Sequence, residues 1–181
     1  MQGLEALLLE YPGSGIAITD PNTGALPSPG WFAHLYAGNN GDTASKCENF
    51  RAQTQRLAAR GLEVALFKYC YVDLMASGNP EKELQAYVGT LRDLEQRYPS
   101  VKFIPVTVPL TVNPDEHNAA RARFNEGLRA EFAGKPIFDL AAVEATLPDG
   151  TTNALKYQQT TIPVLVDAYT YDGGHLNAEG Q

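Results

Sequence analysis

The chain has 181 residues, 44% of them hydrophobic and 19% charged, a composition that fits one globular domain rather than a disordered segment. A chain this long buries roughly 70% of its unfolded surface, so it needs no disulfide or metal staple. The net charge of -7 disfavours nucleic acid or an anionic membrane as the main partner, because either requires a basic face.

In chain order, residues 2–11 read as a helix, with Leu4, Leu7, Leu8 and Tyr11 on one side; the segment lacks the basic start and cleavage-type end of a secretory signal. IAIT at 16–19 is a short strand, and residues 20–42 form a long loop rich in Pro, Gly and Asn. The spacing of Cys47, Phe50, Thr54, Leu57 and Ala58 predicts a helix over 44–60, with Asp42, Thr43 and Ser45 as capping residues. EVALFKYC at 63–70 is a nearly continuous apolar strand, expected to be covered on both faces. Residues 80–98 form the clearest helix: Pro80 suits its first turn, and Leu84, Tyr87, Val88, Leu91, Leu94 and Tyr98 make one stripe. VKFIPVTVPL at 101–110 is the next strand, perturbed by Pro105 and Pro109. A helix over 115–133 follows, then a strand at 136–141, a mostly irregular stretch over 146–174, and the start of a final helix in HLNAEGQ.

Strands alternating with helical crossovers predict a single α/β domain over 1–181, with a mainly parallel sheet and helices on both faces. Such sheets bind ligands at the carboxyl ends of their strands, where the long loop, KYCYVD, TVPLT and the last glycine-rich loop all fall. No run of about 18 apolar residues would span a membrane. Cys47 and Cys70 suit buried free thiols, and the three histidines show no metal-ligand spacing.

The chemistry concentrates in Asp172-Gly173-Gly174-His175. An imidazole is the usual general base near neutral pH, and a carboxylate three residues earlier can hold its tautomer. The competing reading is Asp172 capping a helix that begins near His175. This Asp-x-x-His after the last strand, continued as HLN, resembles the last motif of the SGNH hydrolases, the GDSL-type esterases. That resemblance implies a flavodoxin-like three-layer α/β/α fold, ester hydrolysis on carbohydrate acetyl or other acyl groups, His175 as base, Asp172 as its partner, a small-molecule or glycan substrate and no cofactor. LYAGNNGDTASK resembles the family's second block, so Gly38 or Gly41 would donate an N–H to the oxyanion; plain turn chemistry is the alternative.

Two departures from the pattern stand out. The family's Gly-x-Asn-Asp after the central strand is replaced here by KYCYVD, leaving Tyr71 as a possible oxyanion donor and Asp73 beside it. None of the five serines (Ser14, Ser28, Ser45, Ser77 and Ser100) follows a strand in a tight turn before a helix. The resemblance therefore implies a chain lacking the family's first strand, its serine and the full last helix, and inactive as it stands. Trp31, His34, Asn40 and Asp73 are candidates for the substrate cleft; His117 suits an exposed first helical turn, and Asp139 a cap for AAVEA. The rival expectation is a non-catalytic carbohydrate-binding module on the same fold, using Trp31, Tyr36 and Tyr71.

Overall fold

The structure, a computed structural model, describes residues 11, 13, 16–22, 26, 30–75 and 78–181. Residues 2–10 of the helix expected over 2–11 lie outside the described residues, as do Ser14, Ser28 and Ser77; Tyr11 is described and exposed, in no helix. In chain order come β1 (Ile16–Ile18), β2 (Gly30–Phe32), α1 (Thr43–Ala58), β3 (Val64–Phe67), a 3-10 turn (Tyr71–Asp73), α2 (Pro80–Arg97) and β4 (Lys102–Pro105). They are followed by α3 (Glu116–Glu131), the short α4 (Leu140–Glu144), β5 (Ala154–Tyr157), β6 (Thr160–Pro163) and a second 3-10 turn (Asp167–Tyr169).

The helices begin where side-chain acceptors sit. The carboxylates of Asp42, Asp115 and Asp139 and the amide oxygen of Asn79 each accept a backbone N–H in the following turn. Each satisfies one of the donors that a helix start leaves without an internal partner. Strands β3 and β4 pair in parallel, from Val64 opposite Lys102 to Phe67 opposite Pro105, with α2 as the crossover. Strands β1 and β2 form a second parallel pair, Ile16 opposite Gly30. Among the described residues no ladder joins the two pairs.

The main core lies between β3, β4 and the helices α1, α2 and α3. Phe67 is stacked between Phe50, at 4.3 Å, and Tyr87, at 5.1 Å, with both partner rings within 3° of parallel. The Tyr87 hydroxyl donates to Phe67 O and accepts from Val106 N, so one buried side chain ties the ends of both strands together.

Several elements differ from the sequence expectation. Ala65 and Phe67 are buried, whereas Val64 and Leu66 on the other face of β3 are 45% and 47% exposed, so β3 is covered on one face only by the described residues. The strand expected over 101–110 ends at Pro105, because a proline has no N–H to continue a ladder. Beyond it, side-chain amides replace strand pairing: Asn125 accepts from Val108 N and donates to Val108 O, and Asn118 does the same for Thr111. The strand expected at 136–141 reduces to one parallel bridge, Val106 to Phe138, before Asp139 caps α4. The stretch over 146–174 contains the antiparallel hairpin β5–β6, and the long loop contains β2. HLNAEGQ forms a bridge from Leu176 back to Thr170 and then turns, with no helix begun.

Candidate functional site

The loop over 170–177 is organised by one hydroxyl. Thr170 Oγ1 donates to His175 O at 2.7 Å and accepts from Gly173 N at 2.9 Å. Gly173, at φ +90°, takes a backbone conformation that disfavours side chains, and its carbonyl accepts from Val112 N at 3.0 Å. The loop is thereby anchored to the segment that follows β4, at the carboxyl end of the strand pair.

Asp172 then does two things with two oxygens. Oδ1 accepts from the backbone N–H groups of Gly174, at 3.0 Å, and His175, at 2.8 Å. Oδ2 lies 2.7 Å from His175 Nδ1. Closing the turn and holding the imidazole are thus compatible uses of one carboxylate, and there is no helix at His175 for it to cap. The backbone bond from His175, then its ring, then the Gly174 N–H hold the Asp172 carboxyl down at about 2. With Nδ1 engaged, Nε2 is the ring nitrogen left for proton transfer. Both side chains are substantially exposed.

Two tyrosines flank the imidazole. Tyr71, on the first 3-10 turn, presents its ring nearly perpendicular at a centroid distance of 5.6 Å. Tyr171 lies nearly parallel at 6.0 Å and is largely exposed. A Cβ placed on Gly174 would sit 3.2 Å from Tyr71 Cζ, so the second glycine makes room for that phenol ring.

The other predicted residues form a neighbouring node. Asp73 accepts from Gly41 N at 2.7 Å through Oδ1, and from Lys46 Nζ and Cys70 N, each at 2.6 Å, through Oδ2. Lys46 Nζ also donates to Asn40 Oδ1 at 2.9 Å. The Asp73 and Lys46 side chains are 0% and 7% exposed. Asp73 therefore acts as a buried clasp between the loop before α1 and the turn after β3, with both oxygens occupied. The Gly41 N–H is committed to that clasp. Gly38, at φ +61°, packs so closely on α1 that an added Cβ would fall 2.5 Å from Lys46 N. A cleft of about 260 Å³ opens beside the clasp, lined by Thr43, Asp73, Leu74, Asn79 and Glu83 among others.

Trp31 lies half-buried on β2. His34 is exposed and meets Tyr36 edge-on at 5.5 Å; desolvation is the largest cause that lowers its pKa, and the charge of Lys68 adds to it. Among the described residues no ring contact or hydrogen bond links Trp31, His34 or Tyr36 to the Asp172–His175 pair. Ser45 sits in the first turn of α1, where its Oγ accepts from Asn39 N and donates to Asp42 O; Ser100 lies in the turn before β4. Asp139 caps α4 and receives two bonds from Arg129, while Glu144 is buried and accepts from Leu110 N. Cys47 is buried and Cys70 half-buried, both free.

Thr170, Tyr171 and Arg121 are the members that sequence reading missed. The first two adjoin the motif and were within its reach. Arg121, buried beneath Tyr71, belongs to a helix distant in sequence and gave no local signal.

Among the described residues no group of three or more His, Cys, Asp or Glu could hold a metal ion, and no helix is long and apolar enough to cross a membrane. No family model matches the chain, and no curated protein matches it. Among solved structures, it is similar to a Bacteroides fragilis crystal structure described as a "putative acylhydrolase", with a TM-score of 0.57 and 18% identity. The match covers 83% of this chain and 68% of that one. At that identity the likeness concerns fold, and the fold it supports is a mixed α/β one with parallel strand pairs and, among the described residues, no closed barrel.

Proposed function

We propose that this chain carries the acid–base half of an SGNH-type serine hydrolase site acting on carbohydrate acetyl or other acyl esters, with the nucleophilic serine upstream of Met1. The observation that carries the reading is the 2.7 Å contact between Asp172 Oδ2 and His175 Nδ1, in a loop that also fixes both backbones. In this mechanism the serine hydroxyl attacks the ester carbonyl while His175 Nε2 takes its proton. Asp172 holds the ring and stabilises the imidazolium. The tetrahedral oxyanion is met by the Gly38 N–H and the Tyr71 hydroxyl. Collapse of that intermediate expels the alcohol, which receives the proton from His175; water then releases the acyl group by the same path in reverse. Acyl transfer of this kind requires no metal or organic cofactor.

Expression with the upstream coding sequence should give hydrolysis of p-nitrophenyl acetate, reduced by about 10³-fold or more in His175→Ala. The 181-residue chain by itself should be inactive; His175-dependent turnover by that chain would overturn the upstream serine. A non-catalytic carbohydrate-binding role is the second reading, favoured by Tyr36, which is 89% exposed. Glycan binding that survives His175→Ala, in an extended chain with no serine in the site, would select it.

A further inference from the structure

Arg121 is 3% exposed, yet among the described residues no carboxylate lies within ion-pair distance of it. A buried cation without such a partner is costly, so its retention calls for a compensating role. Its guanidinium is held by neutral acceptors. Nε donates to Tyr71 O at 2.9 Å, and Nη1 donates to Thr111 Oγ1 at 2.9 Å and Asn118 Oδ1 at 3.1 Å. Its Cζ stands 5.6 Å from the centre of the Tyr71 ring. On its other sides the same phenol meets the edge of His175 and the backbone of Gly174. A column thus runs from α3 through Tyr71 to the Asp172–His175 loop.

We propose that Arg121 is a positioning residue that seats Tyr71 against Gly174 and His175, and whose charge strengthens the Tyr71 hydroxyl as a hydrogen-bond donor. That the strengthened donor serves an ester oxyanion rests on the hydrolase reading; the seating and the charge effect do not. The charged and titratable groups acting on Tyr71 are unequal in sign. Burial raises its phenol above the ordinary value, Cys70, Asp172 and Tyr171 add to that rise, and Arg121 opposes it. A fixed cation beside a phenol lowers the cost of negative charge on its oxygen, which makes the O–H a better donor.

The test is a pH titration of the Tyr71 ¹³Cζ resonance in the 181-residue chain, assigned with Tyr71→Phe. Arg121→Met and Arg121→Gln should raise the midpoint by about one pH unit. Arg121→Lys, which keeps the charge and loses the fork, should leave it within about 0.3 of a unit of the parent. Circular dichroism checks that each variant is folded, and Arg121→Gln keeps a donor for Tyr71 O should Arg121→Met not fold. In the unaltered protein the Arg121 ¹⁵Nε resonance should shift at the Tyr71 midpoint, because the coupling is reciprocal. An unmoved midpoint in the folded neutral variants, or no reciprocal shift in the parent, overturns the inference. None of these readouts uses esterase activity, so failure here is distinct from failure of the His175→Ala test.

Discussion

At the scale of single residues, Asp172 shows how one carboxylate can be both structural and chemical. Its Oδ1 closes the turn and its Oδ2 fixes the imidazole. The sign of its pH dependence follows. A carboxyl depressed from its ordinary value near 3.8 to about 2 contributes fully above roughly pH 4, and the contribution is lost as pH falls toward 2. The Gly174 and His175 amide resonances should therefore share a transition below about pH 4, and Asp172→Asn should abolish it. Asp-x-x-His was legible as a candidate from residue type and spacing alone. The partition of work between its two oxygens was not, since it depends on where Thr170 Oγ1 places the His175 carbonyl.

Among the elements, α1, α2 and α3 were the most legible because each carries a periodic apolar stripe and begins at an Asp or Asn acceptor. Short strands were the least legible. Strand β2 has only three residues, and the turn of the β5–β6 hairpin is Gln158-Gln159, with Gln158 at φ +51° and no glycine to mark it. The Lys46–Asp73 clasp joins three elements through residues that look individually ordinary in sequence: a helix lysine, a turn aspartate and a loop glycine. Removing one member of a buried pair leaves the other charge stranded. Lys46→Met is accordingly expected to destabilise the fold by about 3 kcal/mol, read from urea unfolding. The same variant should loosen the Gly41 amide, seen as faster hydrogen exchange.

For the molecule as a whole, Glu144 links the second core cluster to pH. It is 4% exposed, lies between Ala141 and Ala145, and accepts from Leu110 N at 2.7 Å. Burial pushes its carboxyl from an ordinary 4.5 to about 7, against the opposing effects of the Leu110 bond and Lys68. A raised acid stabilises the fold fully while protonated. That contribution is present below about pH 4.5 and is lost as pH rises to about 7, a difference of about 3 kcal/mol. Glu144→Gln keeps an acceptor for Leu110 N and cannot ionise. Urea midpoints measured at pH 5 and pH 7 should converge in that variant relative to the parent.

The sequence by itself determined the α/β class, the main helices and the Asp172–His175 pair, because periodicity, capping residues and a three-residue motif are local and need no distant partner. Tertiary structure decided how those parts became a site. It committed the Gly41 N–H to Asp73, covered β3 on one face only among the described residues and set Arg121 beneath Tyr71. These outcomes depend on groups distant in sequence competing for the same backbone donor, apolar surface or buried space, as the Gly41–Asp73 and Arg121–Tyr71 bonds do across 32 and 50 residues. Such competition is settled only when the chain packs, which is why no local pattern announced it.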